Sequence, residues 1–290
     1  AALRERENRW DSARDAYRTV LTLERTHPAA RIGLQRAEEN LAEQERRAKE
    51  RARLEQEALQ ETEEARALLE QPTNQPSGRR SDSSPPSSSL PQAIAFLESA
   101  VRKAPHLAVP HLHLGRAYAL QNNDDRALQE FDQAIRLQST LSQASLERGK
   151  IRSKRREWKT AFEDFSAALA TNPLMAEART GRVRVSEAQG DLERALADAD
   201  ELVRTHPCSV MSFCLRAELL ERLGKIAKAL EDCTRAIGLE PRFPNAYAHR
   251  ARLRQQEGNN AEALADYQRA LSQAPPTWQP RQSVERIVED

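Results

Sequence analysis

Apolar residues of alternating size recur through the C-terminal two thirds of this chain on a fixed beat of 34 residues. Ala127, Ala161, Ala195, Ala229 and Ala263 set the beat. Phe131, Phe165, Cys233 and Tyr267 stand four places after their alanines, and Ala134, Ala168, Ala236 and Ala270 seven places after. Pro173, Pro207, Pro241 and Pro275 follow by twelve, and Gly190, Gly224 and Gly258 precede by five. A period of this length predicts an array of stacked helical hairpins rather than one closed core.

Each repeated residue type has a physical reason. Alanine suits the closest approach of two antiparallel helices, where a larger side chain would be overpacked. The glycine falls between the helices, where the chain needs a left-handed residue. The proline stands past the second helix and blocks its continuation. The large residue four places after the alanine fills the space between units. This small–small–aromatic–small–proline signature resembles the tetratricopeptide repeat (TPR) family. The resemblance implies an all-α solenoid of helical hairpins, a right-handed superhelix, with five full units at 108–141, 142–175, 176–209, 210–243 and 244–277. Two junctions depart from the pattern: the first unit has Asn122 for the glycine and Ser139 for the proline, and the second has Arg156 for the glycine.

One polar pattern keeps the same period. Arg148, Arg182, Arg216 and Arg250 recur at 34, as do Asp164, Asp198, Asp232 and Asp266, while the first unit carries Leu114 and Glu130 at these two places. Four arginines matched by four aspartates predict an ion-pair ladder between first and second helices, a feature of the scaffold that specifies register.

The N-terminal third is less regular. Residues 10–28 align with 190–207, Ala16 on Ala195 and Pro28 on Pro207, so the chain opens inside a repeat and reads as part of something longer. Between Ala29 and Glu70 there is no proline and one glycine, Gly33, and i,i+4 charge pairs abound: Glu43–Arg47, Glu45–Lys49, Arg46–Glu50, Arg51–Glu55 and Arg53–Glu57. They predict a long solvated helix. Leu54, Ala58, Ala65 and Leu68 form a thin seam at heptad spacing, the alternative being a short coiled coil. Residues 71–90 are rich in Ser and Pro and cannot bury enough apolar surface to order themselves. Ala93, Leu97, Ala100 and Pro105 then rejoin the 34-residue beat. The simplest organisation has 1–44 holding a partial unit and the first helix of a split unit, 45–70 the charged helix, 71–90 a disordered linker, 91–107 the second helix of the split unit, 108–277 the five units and 278–290 a terminal cap. In that reading 29–43 packs against 91–104; the alternative is two separate segments joined by a linker. The cap is expected as a short helix near Ser283–Glu289 that places Val284, Ile287 and Val288 over the last unit.

Charged residues make up 31% of the chain and aromatics 4%, and the net charge is +1, so bulk electrostatics favours neither nucleic acid nor membrane. There is no run of 18 apolar residues. The glycines are scattered and form no phosphate-cradling loop, no HExxH or paired CxxC occurs, and His111 and His113 are two apart on a predicted helix and do not share a face. No enzyme chemistry, cofactor or metal is expected. The three cysteines suit a reducing compartment and a cytoplasmic location, although the chain opens at Ala1 without Met and a removed leader is compatible with that.

In TPR proteins the first helices line a concave face that takes the ligand, and the resemblance implies that the second, fifth, sixth, ninth, twelfth and thirteenth places of each unit point inward. The ninth reads Arg116, Lys150, Arg184, Glu218 and Arg252, and Lys154 adds a cation at a thirteenth place. Leu112 and Leu146 begin a partly apolar row at the fifth. The expected function is a non-enzymatic scaffold that binds an acidic-hydrophobic segment of a partner protein through Leu112, Arg116, Leu146, Lys150, Lys154, Arg184 and Arg252. The alternative is a regulatory or targeting region of a larger multidomain protein, an enzyme with its catalytic domain elsewhere being one such case; self-association through the array ends or the charged helix is a third class. The Lys-and-Asn carboxylate clamp of chaperone-binding TPRs is absent, since the first unit offers Leu112 and Arg116 at those places.

Overall fold

The computed structural model describes residues 9–70 and 89–289, and among these it contains fourteen α-helices and no strand. The chain divides into two compact units, residues 1–117 and 118–290.

The first unit is built on one long helix. α1 (Trp10–Leu23) packs on α2 (Pro28–Glu70), α2 packs on α3 (Ser89–Lys103), and α4 (Ala108–Leu120) follows. α2 has 43 residues and is roughly 65 Å long. Its ends serve two different hairpins. At the N-terminal end Ala30 and Ala37 are buried, and a Cβ on Gly33 would lie 2.3 Å from Tyr17 Cζ, so only glycine lets that ring lie on the helix backbone. Arg18 donates to Glu38 at 2.9 Å across the same pair. At the C-terminal end Ala58, Thr62 and Ala65 are buried on the side where α3 presents Leu97 and Ala100. Ser99 donates to Glu61 at 3.1 Å, Lys103 reaches Glu57 and Glu61 at 2.9 Å each, and His106 meets Glu55 at 2.7 Å.

These contacts correct the expected organisation. Residues 91–104 pair with the 55–65 stretch of α2, not with 29–43, so the split unit is not formed. There is also no break at 44/45, because nothing in that stretch stops a helix. The heptad seam belongs to the α2–α3 interface within the chain, Ala58 and Ala65 being fully buried there. Of the five expected i,i+4 pairs, Glu43–Arg47, Arg51–Glu55 and Arg53–Glu57 form. Arg46 turns to Glu43 instead. Most of the Ser/Pro-rich stretch lies outside the described residues; Ser89 and Leu90 already belong to α3.

In the second unit the hairpins follow the 34-residue beat: α5 (Asp124–Leu137), then α6 (Ser142–Lys154) with α7 (Trp158–Thr171), α8 (Ala176–Ala188) with α9 (Leu192–Thr205), α10 (Val210–Arg222) with α11 (Ile226–Leu239), and α12 (Pro244–Gln256) with α13 (Asn260–Gln273). The beat alanines 127, 161, 195, 229 and 263 are all buried, as are Phe131, Phe165, Cys233 and Tyr267. Turns between paired helices need a left-handed residue. Gly190, Gly224 and Gly258 supply it at φ +81°, +71° and +78°, with open space around each. Asn122 and Arg156 take the same conformation at +60° and +61°. Both departures from the glycine pattern therefore keep its geometry, at a cost of about 1 kcal/mol for a non-glycine residue such as Arg156.

The ladder forms on all four rungs. Arg182, Arg216 and Arg250 each grip their aspartate, Asp198, Asp232 and Asp266, with Nε and Nη2 at 2.6–2.8 Å. Arg148 places the same two nitrogens on Asp164 Oδ1 at 3.0 and 2.5 Å. The third nitrogen, Nη1, reaches back to the second helix of the preceding hairpin: Asp132 for Arg148, Ser166 for Arg182, Asp200 for Arg216 and Thr234 for Arg250. One guanidinium thus fastens three helices, and its planar fork fixes their spacing. In the first repeat Leu114, buried, stands at the arginine place.

α14 (Arg281–Glu289) packs on the last hairpin. Val284 is buried with Ala251, Ala263 and Tyr267, Val288 packs against the same cluster, and Ile287 stays 41% exposed. Trp278 Nε1 donates to Asn245 at 2.6 Å and pins the loop that leads into the cap.

Candidate functional site

The inner surface of the second unit is lined by α6, α8, α10 and α12. Between α6, α8 and α10 lies a hollow of about 590 Å³. Phe165 forms its floor, Leu202 and Leu215 its walls, and Lys150, Glu177 and Arg184 its charged rim. The hollow exists because residue 181 is glycine. A Cβ there would stand 2.5 Å from Phe165 Cζ, so the ring comes flush with the α8 backbone. Gly149 meets the other edge of the ring, where a Cβ would lie 2.9 Å from Cε1. Met211 lines the same hollow and is 61% exposed, although a large apolar side chain there gains nothing from water.

A second, smaller hollow of about 340 Å³ lies between α10, α12 and α14. Its lining includes Cys214, Glu218, His249 and Arg252. α10 separates the two hollows and contributes to both.

The expected basic stripe is largely neutralised by acids of neighbouring repeats. Lys150 reaches Glu177 at 2.9 Å and Lys154 reaches Asp124 at 3.2 Å. Arg222 pairs with Glu187, and Arg252 with Glu221 at 2.6 Å. Glu221 also takes His249 and Gln256, each at 2.9 Å. Burial opposes its ionisation, but the bonds from Arg252 and His249 outweigh that and hold its carboxyl below the usual range. Among the described residues Arg184 and Glu218 have neither an ion pair nor a side-chain hydrogen bond, and both are exposed.

The residues singled out from the sequence are placed as follows. Lys150 and Arg184 meet at the rim of the first hollow, and Arg252 lines the second. Lys154 points back to the start of α5. Leu146 packs with Phe165 and Ala161 and, unlike Phe165, does not line the hollow. Leu112 is also buried and, with Arg116, belongs to the first unit. There His113 is buried; its burial and the nearby Arg116 and Arg66 charges hold its imidazole below the usual range. Gly181, Phe165, Met211 and Glu218 were not singled out. Three of them, Gly181, Met211 and Glu218, occupy sixth, second and ninth places, which the family resemblance implies are inward.

Burial pushes the thiols of Cys214 and Cys233 up to about 12, far from a reactive thiolate. All three cysteines are free. Among the described residues no group of His, Cys, Asp and Glu could hold a metal ion, and no helix is long and apolar enough to cross a membrane.

Stacked two-helix repeats with a shared inner face define the class of helical-repeat scaffolds. Within it, the model of the tetratricopeptide repeat matches residues 146–208 and 214–277, and these residues are TPR repeats. Solved structures agree in fold. PilW, a widely conserved type IV pilus biogenesis factor, is similar at 17% identity and a TM-score of 0.63, over 79% of this chain and 98% of that one. The Pseudomonas aeruginosa pilF structure is similar at 14% identity and a TM-score of 0.59, over 83% and 98%. YrrB, a TPR protein with an unusual peptide-binding site, is similar at 17% identity and a TM-score of 0.55, over 66% and 97%. Identities this low carry the fold alone. No curated protein matches the sequence. Repeat arrays of this kind serve in general as protein-interaction scaffolds without catalytic machinery.

Proposed function

We propose that this chain is a non-enzymatic scaffold and that the inner face of its second unit binds an extended segment of a partner protein. The observation that carries the reading is the hollow over Phe165. It is apolar at its base, opened by Gly181, and rimmed by Arg184, a cation with no ion pair among the described residues. An exposed methionine at its edge adds an adaptable apolar contact. A segment with one apolar anchor and an adjacent acidic residue fits this chemistry. The likeness to YrrB, itself described as having a peptide-binding site, supports the same use of the fold. Free thiols throughout suit a reducing compartment such as the cytoplasm.

Peptides selected by display on the purified chain provide the test. The double variant Arg184→Glu, Met211→Glu should lose at least tenfold in affinity for them, while helicity and melting temperature stay close to those of the parent, because both side chains are exposed. Exposed charge contacts weaken with salt, so raising ionic strength should reduce the parent's affinity too. Unchanged affinity in the double variant would place binding elsewhere.

A further inference from the structure

The ninth places of successive first helices read Lys150, Arg184, Glu218 and Arg252. Lys150 and Arg252 are engaged by Glu177 and Glu221. What the inner face offers to a partner is therefore a dipole: Arg184 on α8 and Glu218 on α10, one repeat apart, opposite in sign and both exposed. α8 and α10 are neighbours bridged by Arg222 and Glu187, a separation on the order of 10 Å, and an extended chain advances about 3.3 Å per residue. A strand crossing α8 and α10 covers that separation in about three residues.

We infer that the partner segment is dipolar rather than simply acidic: it carries an acidic residue opposite Arg184 and a basic residue about three positions away opposite Glu218, with its apolar anchor in the hollow over Phe165. This deepens the groove reading and rests on it. Glu218 acts as a register mark. A segment shifted by one repeat would bring its acidic residue against Glu218, and juxtaposed like charges reject a wrong partner. The other inward pairs, Lys150–Glu177 and Arg252–Glu221, flank the dipole and present little net charge.

The probe is a set of fluorescein-labelled dodecapeptides, each with one Leu, one Asp and a third residue, Lys or Asp, one to six positions from the first Asp in either direction. Binding to the full chain is read by fluorescence anisotropy at low salt. The parent should prefer the Asp/Lys peptide of spacing three over its Asp/Asp counterpart by about fivefold, the range of exposed charge pairs. Glu218→Arg should reverse that preference. Arg184→Glu should weaken both. A parent that does not distinguish the two peptides, or a Glu218→Arg variant that keeps the parent's preference, would overturn the dipole while leaving peptide binding intact. If no peptide of the set binds the parent, the groove reading itself falls, and the dipole with it. Met211→Ala separates these cases, since it should weaken anchoring without altering the Asp/Lys ratio of the remaining binding.

Discussion

Replacing Arg182 by alanine should cost the second unit about 3 kcal/mol of stability. The reason is Asp198, only 6% exposed, which would lose two short hydrogen bonds and keep its charge. Removing one member of a buried pair is far costlier than the pair is worth, because the remaining ion is neither solvated nor compensated. The value sits at the low end of the usual range because Arg179 stands 3.6 Å from the same carboxylate and takes up part of the charge. The internal control is Arg204→Ala, which breaks an exposed pair with Glu201 and should cost under about 1 kcal/mol. The double variant Arg182→Met, Asp198→Leu should recover most of the loss, since apolar replacement of a whole buried pair is nearly neutral. Urea denaturation of the three variants measures this. Equal loss in Arg182→Ala and Arg204→Ala would mean that the ladder is ornamental.

The other large effect belongs to Phe165. It is 1% exposed, its ring lies between Gly149 and Gly181, and Leu146 and Ala161 pack around it. Phe165→Ala should cost about 3–5 kcal/mol, because two glycines on either side leave no side chain able to collapse into the void. Phe165→Leu keeps most of the volume and should cost about 1 kcal/mol. The alanine variant should also bind selected peptides more weakly, since the ring is the floor of the hollow. A loss below about 1 kcal/mol for Phe165→Ala would show that the ring is not packed as described.

The two features meet in the function. Each ladder arginine holds its first helix against two second helices, and that spacing sets where Arg184 and Glu218 stand. The scaffold thereby fixes the distance between the two charges a partner would read.

Much of this was visible in the sequence. The hairpins, the left-handed turns and the primary ladder repeat with constant residue types, so periodicity alone exposes them. The backward contacts of the ladder repeat in position but not in type: Asp132, Ser166, Asp200 and Thr234 share the ability to accept a hydrogen bond, which no count of identical residues detects. The pairing of α3 was misread for a different reason. Its own residues keep the repeat beat, but its partner stretch, 55–65, contacts it through Ala, Thr and Glu and carries no repeat signature. The basic stripe was overestimated because its neutralising acids lie at other places of adjacent repeats. Glu177, Glu187 and Glu221 come beside it only when the helices stack. The family resemblance puts the fifth place inward, yet Leu146 there packs into the cluster of Phe165 and Ala161.

The most direct test of partner binding uses the chain's two methionines, Met175 and Met211. Met175 is partly buried against the Phe165 cluster and does not line the hollow, while Met211 lines it and is exposed. With 13C-labelled methionine methyl groups the protein should give two NMR signals, and titration with a selected peptide should shift or broaden the Met211 signal strongly and the Met175 signal little. A peptide that binds with undiminished affinity and moves neither signal would contradict the groove as the site of recognition.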